Sequence, residues 1–240
     1  MSSKGGRTTS KRLALPRVRT VIKKARTWAI RPSPGSHSQE TAVPLGSVLR
    51  DVLGVTTNAL ETRRVLSTGT VFVNSKKRKE RKFAVGLFDV VYLETAKKYY
   101  RMVLNGRGRL VPLEITKDDG KFSVEKVTKK VLSKGHLFQL TTNAGSTFMQ
   151  KDGKVPVGAS LKVDLEHRKI VDTFEMKEGH LAYIVGGTHR GSVATIENIS
   201  PSTMQKESLV SLKGDSEFQT ITENVFVIGN KKAAIAVEKE

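Results

Sequence analysis

The first thirty-one residues hold ten lysines and arginines and no acid, and the first carboxylate of the chain is Glu40. Such a segment repels itself, has little apolar surface, and is broken by Gly5-Gly6, Pro16 and Pro32-Ser33-Pro34-Gly35. It has too little to bury to fold alone, so its structure is expected to come from something negative. A polyphosphate is the surface that fits best. Arg7, Lys11, Arg12, Arg17, Arg19, Lys23, Lys24, Arg26 and Arg31 are the expected phosphate contacts. Trp28 is the one aromatic residue of this stretch. Its indole either stacks on an unpaired base or an arginine, or anchors the segment on the helical part of the protein, the plainer of the two.

Over all 240 residues the net charge is +19, from 42 basic and 23 acidic side chains. The excess is uneven: +10 in residues 1–31, +12 in 32–163 and −3 in 164–240. Solubility of a small domain asks for a magnitude of only about 2–8. The excess points to nucleic acid, with binding that weakens steeply as salt competes for the phosphates. Other classes lose ground. There is no cysteine, which removes disulfides and thiolate metal sites and fits a reducing, cytoplasmic compartment. No apolar run of about 18 residues exists to span a membrane, and the N-terminus lacks the apolar core of a secretory signal. His37, His136, His167, His180 and His189 have no metal-binding spacing. No phosphate-binding loop or nucleophile elbow is present, and Gly106 and Gly108 lie in a hairpin turn rather than before a helix. We therefore expect no enzyme activity, cofactor, metal or small-molecule substrate.

Pattern divides the rest. Leu45, Val48, Leu49, Val52 and Leu53 form one helical stripe after Pro44, stopping at Gly54. Asn58 with Glu61 three residues on predicts the capped start of a second short helix ending at Gly69. Residues 70–74 and 89–93 alternate as strands around the basic run Lys76-Lys77-Arg78-Lys79. From about residue 99, β-rich runs at 137–142, 161–165, 181–185 and 225–228 are separated by glycine turns, which argues small barrels or sandwiches. At Tyr99-Tyr100 the alternation sends one ring to the core and one outward. The expected fold is α+β and mostly β: a basic extension (1–42), a two-helix-plus-strands module (43–98), a central β domain (99–172), a last β domain (173–232) and a ragged tail (233–240).

Three resemblances sharpen this. The segments Glu61-Thr62-Arg63-Arg64-Val65-Leu66, Gly69-Thr70-Val71-Phe72-Val73-Asn74 and Val85-Gly86-Leu87-Phe88-Asp89-Val90 resemble the S-four RNA-binding domain. That likeness implies RNA contacts from Arg63, Arg64, Lys76, Lys77, Arg78 and Lys79. The run Leu181 to Ile196, with Gly186-Gly187 and Gly191, resembles the KOW motif and implies an SH3-like barrel. Ala194 replaces a usual glycine there, and Thr188 and Ser192 stand where basic residues are frequent, so His189 and Arg190 are the remaining candidates to meet RNA. In order along the chain, Ser10 to Pro16, Trp28 to His37, Val43-Pro44-Leu45, Leu49-Arg50-Asp51, Gly86 to Val91, Val171-Asp172, Gly179-His180-Leu181 and Phe218 to Gly229 resemble the ribosomal S4e family. The likeness departs from the family at Val18 to Arg26, where an aromatic is expected soon after Pro16. It implies a structural protein of the small ribosomal subunit, archaeal in type, with ribosomal RNA and neighbouring ribosomal proteins as partners and Arg50 among its RNA contacts. The alternative from another class is a non-ribosomal RNA-binding processing or transcription factor built from the same modules.

Overall fold

The computed structural model describes residues 9–22, 24, 26–133, 135–151, 153–201, 207–214, 216–230 and 232–237. Arg7 and Lys23 lie outside the described residues. The extension folds against the body of the same chain. Thr9–Lys11 (β1) pairs antiparallel with Trp28–Ile30 (β2). Two arginines, each only 4 % exposed, hold the loop between and beyond them. Arg12 donates to the Ile22 carbonyl at 2.7 Å and the Trp28 carbonyl at 3.4 Å. Arg19 forks to the carbonyls of Ala42 (3.2 Å), Ile30 (3.2 Å) and Gln39 (3.3 Å). Backbone oxygens here perform the task expected of an outside polyanion. This corrects the reading of the extension as wholly dependent on a partner, and it gives Arg12 and Arg19 internal work. Burial, reinforced by the charge of Arg31, pushes the Arg19 pKa down to about 10, which leaves it charged at neutral pH. Trp28 is 56 % exposed and is not the anchor. Ile30 is, since a Cβ on Gly46 would stand 3.0 Å from its Cδ1.

Val43–Pro44 (β3) leads into α1 (Leu45–Ser47), whose next turn widens over Val48–Val52. There the Leu53 N–H reaches back five residues to Val48 at 2.8 Å, and the Val55 N–H reaches Leu49 at 2.9 Å. The stripe is buried through Leu49 and half-buried at Val52 and Leu53. Helix α2 (Ala59–Thr68) starts as its sequence predicts: the Asn58 side chain accepts from the N–H groups of Leu60 and Glu61, and Gly69 closes the helix at φ 74°. Glu61 completes the cap one residue earlier than a capping box would, accepting from the Thr57 N–H at 2.7 Å.

Behind the helices lie β4 (Val71–Val73), β5 (Lys76–Lys77), β6 (Ala84–Val85), β7 (Val90–Leu93), β8 (Lys98–Leu104) and β9 (Leu110–Ile115). β6 pairs with β3, and the others form a five-stranded sheet in the order β5-β4-β7-β8-β9. A module ending at residue 98 would cut this sheet, so strand pairing carries that unit through Ile115. A second sheet has the order β12-β11-β10-β13-β14, from β10 (Phe122–Ser133), β11 (Leu137–Thr142), β12 (Thr147–Gln150), β13 (Ser160–Asp164) and β14 (Ile170–Phe174). The third, β18-β17-β16-β15-β19, is built from β15 (Leu181–Ile184), β16 (Val193–Ser200), β17 (Leu209–Lys213), β18 (Glu217–Ile221) and β19 (Val225–Gly229). The chain is thus mostly β with two short helices.

The units share one core. The cluster holding Leu45, Leu49, Leu66, Val71 and Met102 also takes in Tyr183, Phe226 and Ile228 of the third sheet. Ile235 and Val237 are buried in it as well, which corrects the expectation of a ragged tail over those residues: their apolar side chains cover the core's open side. Buried cations stitch the units together. Arg101 donates to the carbonyls of Ala236 (3.0 Å), Asp119 (2.7 Å) and Phe122 (2.8 Å), and burial pushes its pKa down to about 10. Lys126 on β10 donates to the carbonyls of Thr222 (2.8 Å), Glu223 (3.1 Å) and Val225 (2.9 Å). Its ammonium is pushed down to about 8 by burial, against the charge of Glu223. Replacing Lys126 by methionine keeps the apolar stem but orphans those carbonyls while removing a desolvated charge. The expected net loss is about 1–3 kcal/mol, read from urea unfolding of the variant against the parent.

Candidate nucleic-acid interface

A cationic cleft of about 840 Å³ lies where the extension, the wide turn after α1 and the β8–β9 hairpin converge. The extension supplies Arg12, Arg17, Arg19 and Arg26. Arg50 comes from the wide turn, and Arg107 and Arg109 come from the hairpin. Local structure sets each contribution. The five-residue reach of the turn after Val48 carries Arg50 and Asp51 out of the helical stripe to the cleft wall. At the hairpin, the Asn105 side chain accepts from the N–H groups of Arg107 (3.1 Å) and Arg109 (2.9 Å). The Leu110 N–H donates to the Val18 carbonyl at 2.9 Å, and the Thr20 hydroxyl donates to the Leu110 carbonyl at 3.2 Å, so hairpin and extension are one wall.

Among the described residues the cleft has one carboxylate, Asp51, and Arg50 grips it bidentately at 2.9 and 2.8 Å. That hydrogen bonding, with the charge of Asp51, raises the Arg50 pKa against the pull of burial. Among the described residues the other six guanidiniums have no carboxylate within salt-bridge distance. Arg17, Arg26, Arg107 and Arg109 are exposed. Planar guanidinium forks match phosphate oxygens, and this volume falls in the range of about 300–1,000 Å³ that encloses whole ligands rather than single ions. Arg107 and Arg109 were not among the sequence candidates. Their signal was modest, two arginines alternating with glycine at a hairpin tip.

The remaining candidates scatter around the cleft. Lys11, Lys24 and Arg26 line a cavity of about 290 Å³, and Lys11 faces Trp28 across the β1–β2 ribbon. Arg31 is half-buried; Arg63 and Arg64 are exposed on α2. Lys76 and Arg78 line another cavity, of about 240 Å³, with Arg168 and the buried Glu125. Arg78 lies over the Phe83 ring at 4.2 Å, with its Nε buried and without a hydrogen-bond partner among the described residues. Lys77 and Lys79 are exposed. The glycine turn after β15 meets protein on one side: a Cβ on Gly191 would stand 2.6 Å from the Leu104 carbonyl oxygen, so only glycine permits that approach. The Tyr183 hydroxyl donates to that carbonyl and accepts from the Leu104 N–H, both at 2.9 Å. Arg190 packs along Gly108, on the hairpin that carries Arg107 and Arg109. His189 is exposed and stacks on Phe218 at 4.0 Å.

A buried pair locks the extension to the module. His37 Nε2 and Asp89 Oδ2 are 2.9 Å apart, and Asp89 also accepts from the Gly86 N–H (2.8 Å) and the Asn74 amide (2.7 Å). Gly86 lies flat against the imidazole, with no room for a side chain. Burial opposes both charges. For His37 the charge and hydrogen bond of Asp89 outweigh it and raise the pKa. For Asp89 the charge of His37 and its hydrogen-bond donors outweigh it and lower the pKa. Nearby Glu125 is pushed up by burial, although Thr142 and Ser146 donate to it at 2.6 and 3.2 Å.

Among the described residues no group of three or more His, Asp or Glu side chains is placed to hold a metal ion, and no helix is long and apolar enough to cross a membrane. The family profile described as Ribosomal family S4e matches residues 96–170, and that of the RS4NT domain matches residues 4–40. The chain is 34 % identical over 223 residues to a small ribosomal subunit protein eS4 of Archaeoglobus fulgidus, covering 92 % of this chain and 93 % of that protein. It is also 34 % identical over 231 residues to the eS4 of Thermoplasma acidophilum, covering 96 % and 97 %. The crystal structure of the 30S ribosomal protein S4e from Thermoplasma acidophilum superposes with a TM-score of 0.72 at 34 % identity, covering 82 % of this chain and 99 % of that one.

Proposed function

The chain belongs to the ribosomal S4e family, and from that premise we propose that it is a structural constituent of the small ribosomal subunit that binds and braces folded ribosomal RNA through the arginine cleft. Its role is positional, and no reaction is implied. The observation that carries the reading is the convergence of seven guanidiniums on one cavity whose one carboxylate among the described residues is already held by Arg50. Phosphate contacts of this kind fix orientation without reading sequence. Arg63, Arg64 and the exposed lysines near β5 add further cations for phosphate outside the cleft, Trp28 offers an open indole beside Lys11, and Arg12 and Arg19 hold the wall from inside. The third sheet with its glycine turn is read as an SH3-like barrel of the KOW type, and its turn braces the β8–β9 hairpin. With 9 basic and 12 acidic residues in 164–240, this last third is the side offered to neighbouring ribosomal proteins. The place of work is the cytoplasmic ribosome. A tagged chain is expected to co-sediment with the small subunit at about one copy per particle. Recovery only as free protein at low salt, or at a small fraction of a copy, would overturn the structural role.

A further inference from the structure

The β5-β4-β7-β8-β9 sheet has an aromatic row that the cleft does not use. Register places Phe72 on β4 opposite Tyr92 on β7, and Tyr92 opposite Tyr99 on β8. Side chains alternate along a strand, so these three rings share the face opposite Val71, Val73, Val91 and Tyr100, which pack in or against the core. Tyr92 and Tyr99 stack at 4.2 Å, and Phe72 lies 5.8 Å from Tyr92, tilted by 44°. All three rings are half-buried rather than sealed. With Val90 they line a cavity of about 190 Å³, whose other walls include Lys117, Lys121 and Glu166.

The lining narrows the occupant. The volume is below the range of about 300–1,000 Å³ for whole-ligand sites, which suits one ring system rather than a nucleotide or a peptide segment. Aromatic walls favour a planar π-face. Lys117 is exposed with no carboxylate within salt-bridge distance among the described residues, and it offers a cation to a phosphate just outside; Lys121 is held by Asp118 at 2.8 Å. Glu166 is an acceptor that would take an exocyclic amino group, as a carboxylate does from cytosine. An apolar side chain of a neighbouring protein would use the rings but neither charge. We propose that this pocket holds one unpaired nucleobase bearing an exocyclic amino group, extruded from the ribosomal RNA and stacked against the aromatic row.

The proposal rests on the ribosomal-RNA reading, and the test separates the two. Small subunits carrying the full chain, Tyr92→Leu, Tyr92→Phe or Glu166→Gln are irradiated to crosslink, and their RNA is probed with dimethyl sulfate. A nucleotide adduct is expected on the peptide containing Tyr92 or Tyr99. One adenine or cytosine, or one guanine probed in parallel with kethoxal, protected with the parent chain, should become about tenfold more reactive with Tyr92→Leu and stay protected with Tyr92→Phe, since a phenyl ring still stacks. If Tyr92→Leu fails to enter the subunit, Glu166→Gln serves alone, because it removes the amino-group acceptor charge without touching the sheet core. Its expected effect is a severalfold rise at the same nucleotide. Adducts only to a neighbouring protein, or unchanged reactivity in the variants, overturn the pocket and leave the cleft reading standing. A parent chain that never joins the subunit overturns the ribosomal-RNA reading itself.

Discussion

Replacing Asp89 by alanine is expected to destabilise the protein by about 3–5 kcal/mol, because it leaves His37, the Asn74 amide and the Gly86 N–H buried around a missing acceptor. The pair ties an extension residue to a module residue 52 positions away, so the same change should loosen the extension before the body unfolds. Proteolysis should then cut near residues 31–42 at protease levels that spare the parent. The pH dependence has a definite sign. His37 has a raised folded pKa, so its contribution is complete below its ordinary 6.5 and is lost as pH climbs through the raised value. Asp89 has a lowered folded pKa, so its contribution is complete above its ordinary 3.8 and is lost as pH falls through the lowered value. Both are fully present between those ordinary values. The stability difference between the parent and His37→Ala should therefore be largest near pH 5 and shrink toward pH 8.5. Urea unfolding at the two pH values measures it, with the charge of nearby Glu125 adding to the rise of the His37 pKa. A difference that grows with pH would mean the pair is neutral in the folded state.

Elements with a local signature were legible in the sequence. Asn58 and Gly69 bracket α2 as their capping chemistry requires, and the alternation at Tyr99-Tyr100 sends Tyr100 to the core and Tyr99 outward. The strand runs at 137–142 and 225–228 appear as β11 and β19. What charge counting misses is which cations the fold keeps for itself. Arg19, Arg101 and Lys126 look like any exposed base in one dimension, yet each meets three carbonyls. For Lys126 these lie 96 to 99 residues away, and for Arg101 one lies 135 away. No local pattern encodes such convergence. The cleft is legible only by half for the same reason. Its extension arginines stand out as an acid-free run, whereas Arg107 and Arg109 gain meaning only once the Val18 carbonyl docks their hairpin against that run. Trp28 errs the other way, since an isolated indole among charges reads as an anchor while Ile30 next to it fills the space at Gly46.

The division between structural and available arginines sets the second large effect. Arg17, Arg107 and Arg109 line the cleft, are exposed, and have no carboxylate partner among the described residues, so truncating them should leave the fold intact. If each meets one phosphate, the triple change to alanine removes three counterion-releasing contacts. The slope of log K against log salt on small-subunit ribosomal RNA should then fall in magnitude by about 2 to 3. Affinity near physiological salt should drop by about ten- to a hundredfold. Arg19→Ala should behave differently: its three carbonyls lose their donor, so stability falls first and RNA affinity follows only through the displaced wall. Lys177 and Lys213 provide the control. Both sit in the acidic last third and are already paired, with Glu175 at 2.7 Å and with Glu197 at 3.4 Å. Changing them to alanine should leave the salt slope where it was. A slope that the control lowers as much as the cleft variant does would mean that net charge alone drives binding. An unchanged slope in the cleft variant would mean that those three guanidiniums touch no phosphate. Only a loss confined to the cleft variant identifies the converged arginines as the part of this basic chain that RNA grips.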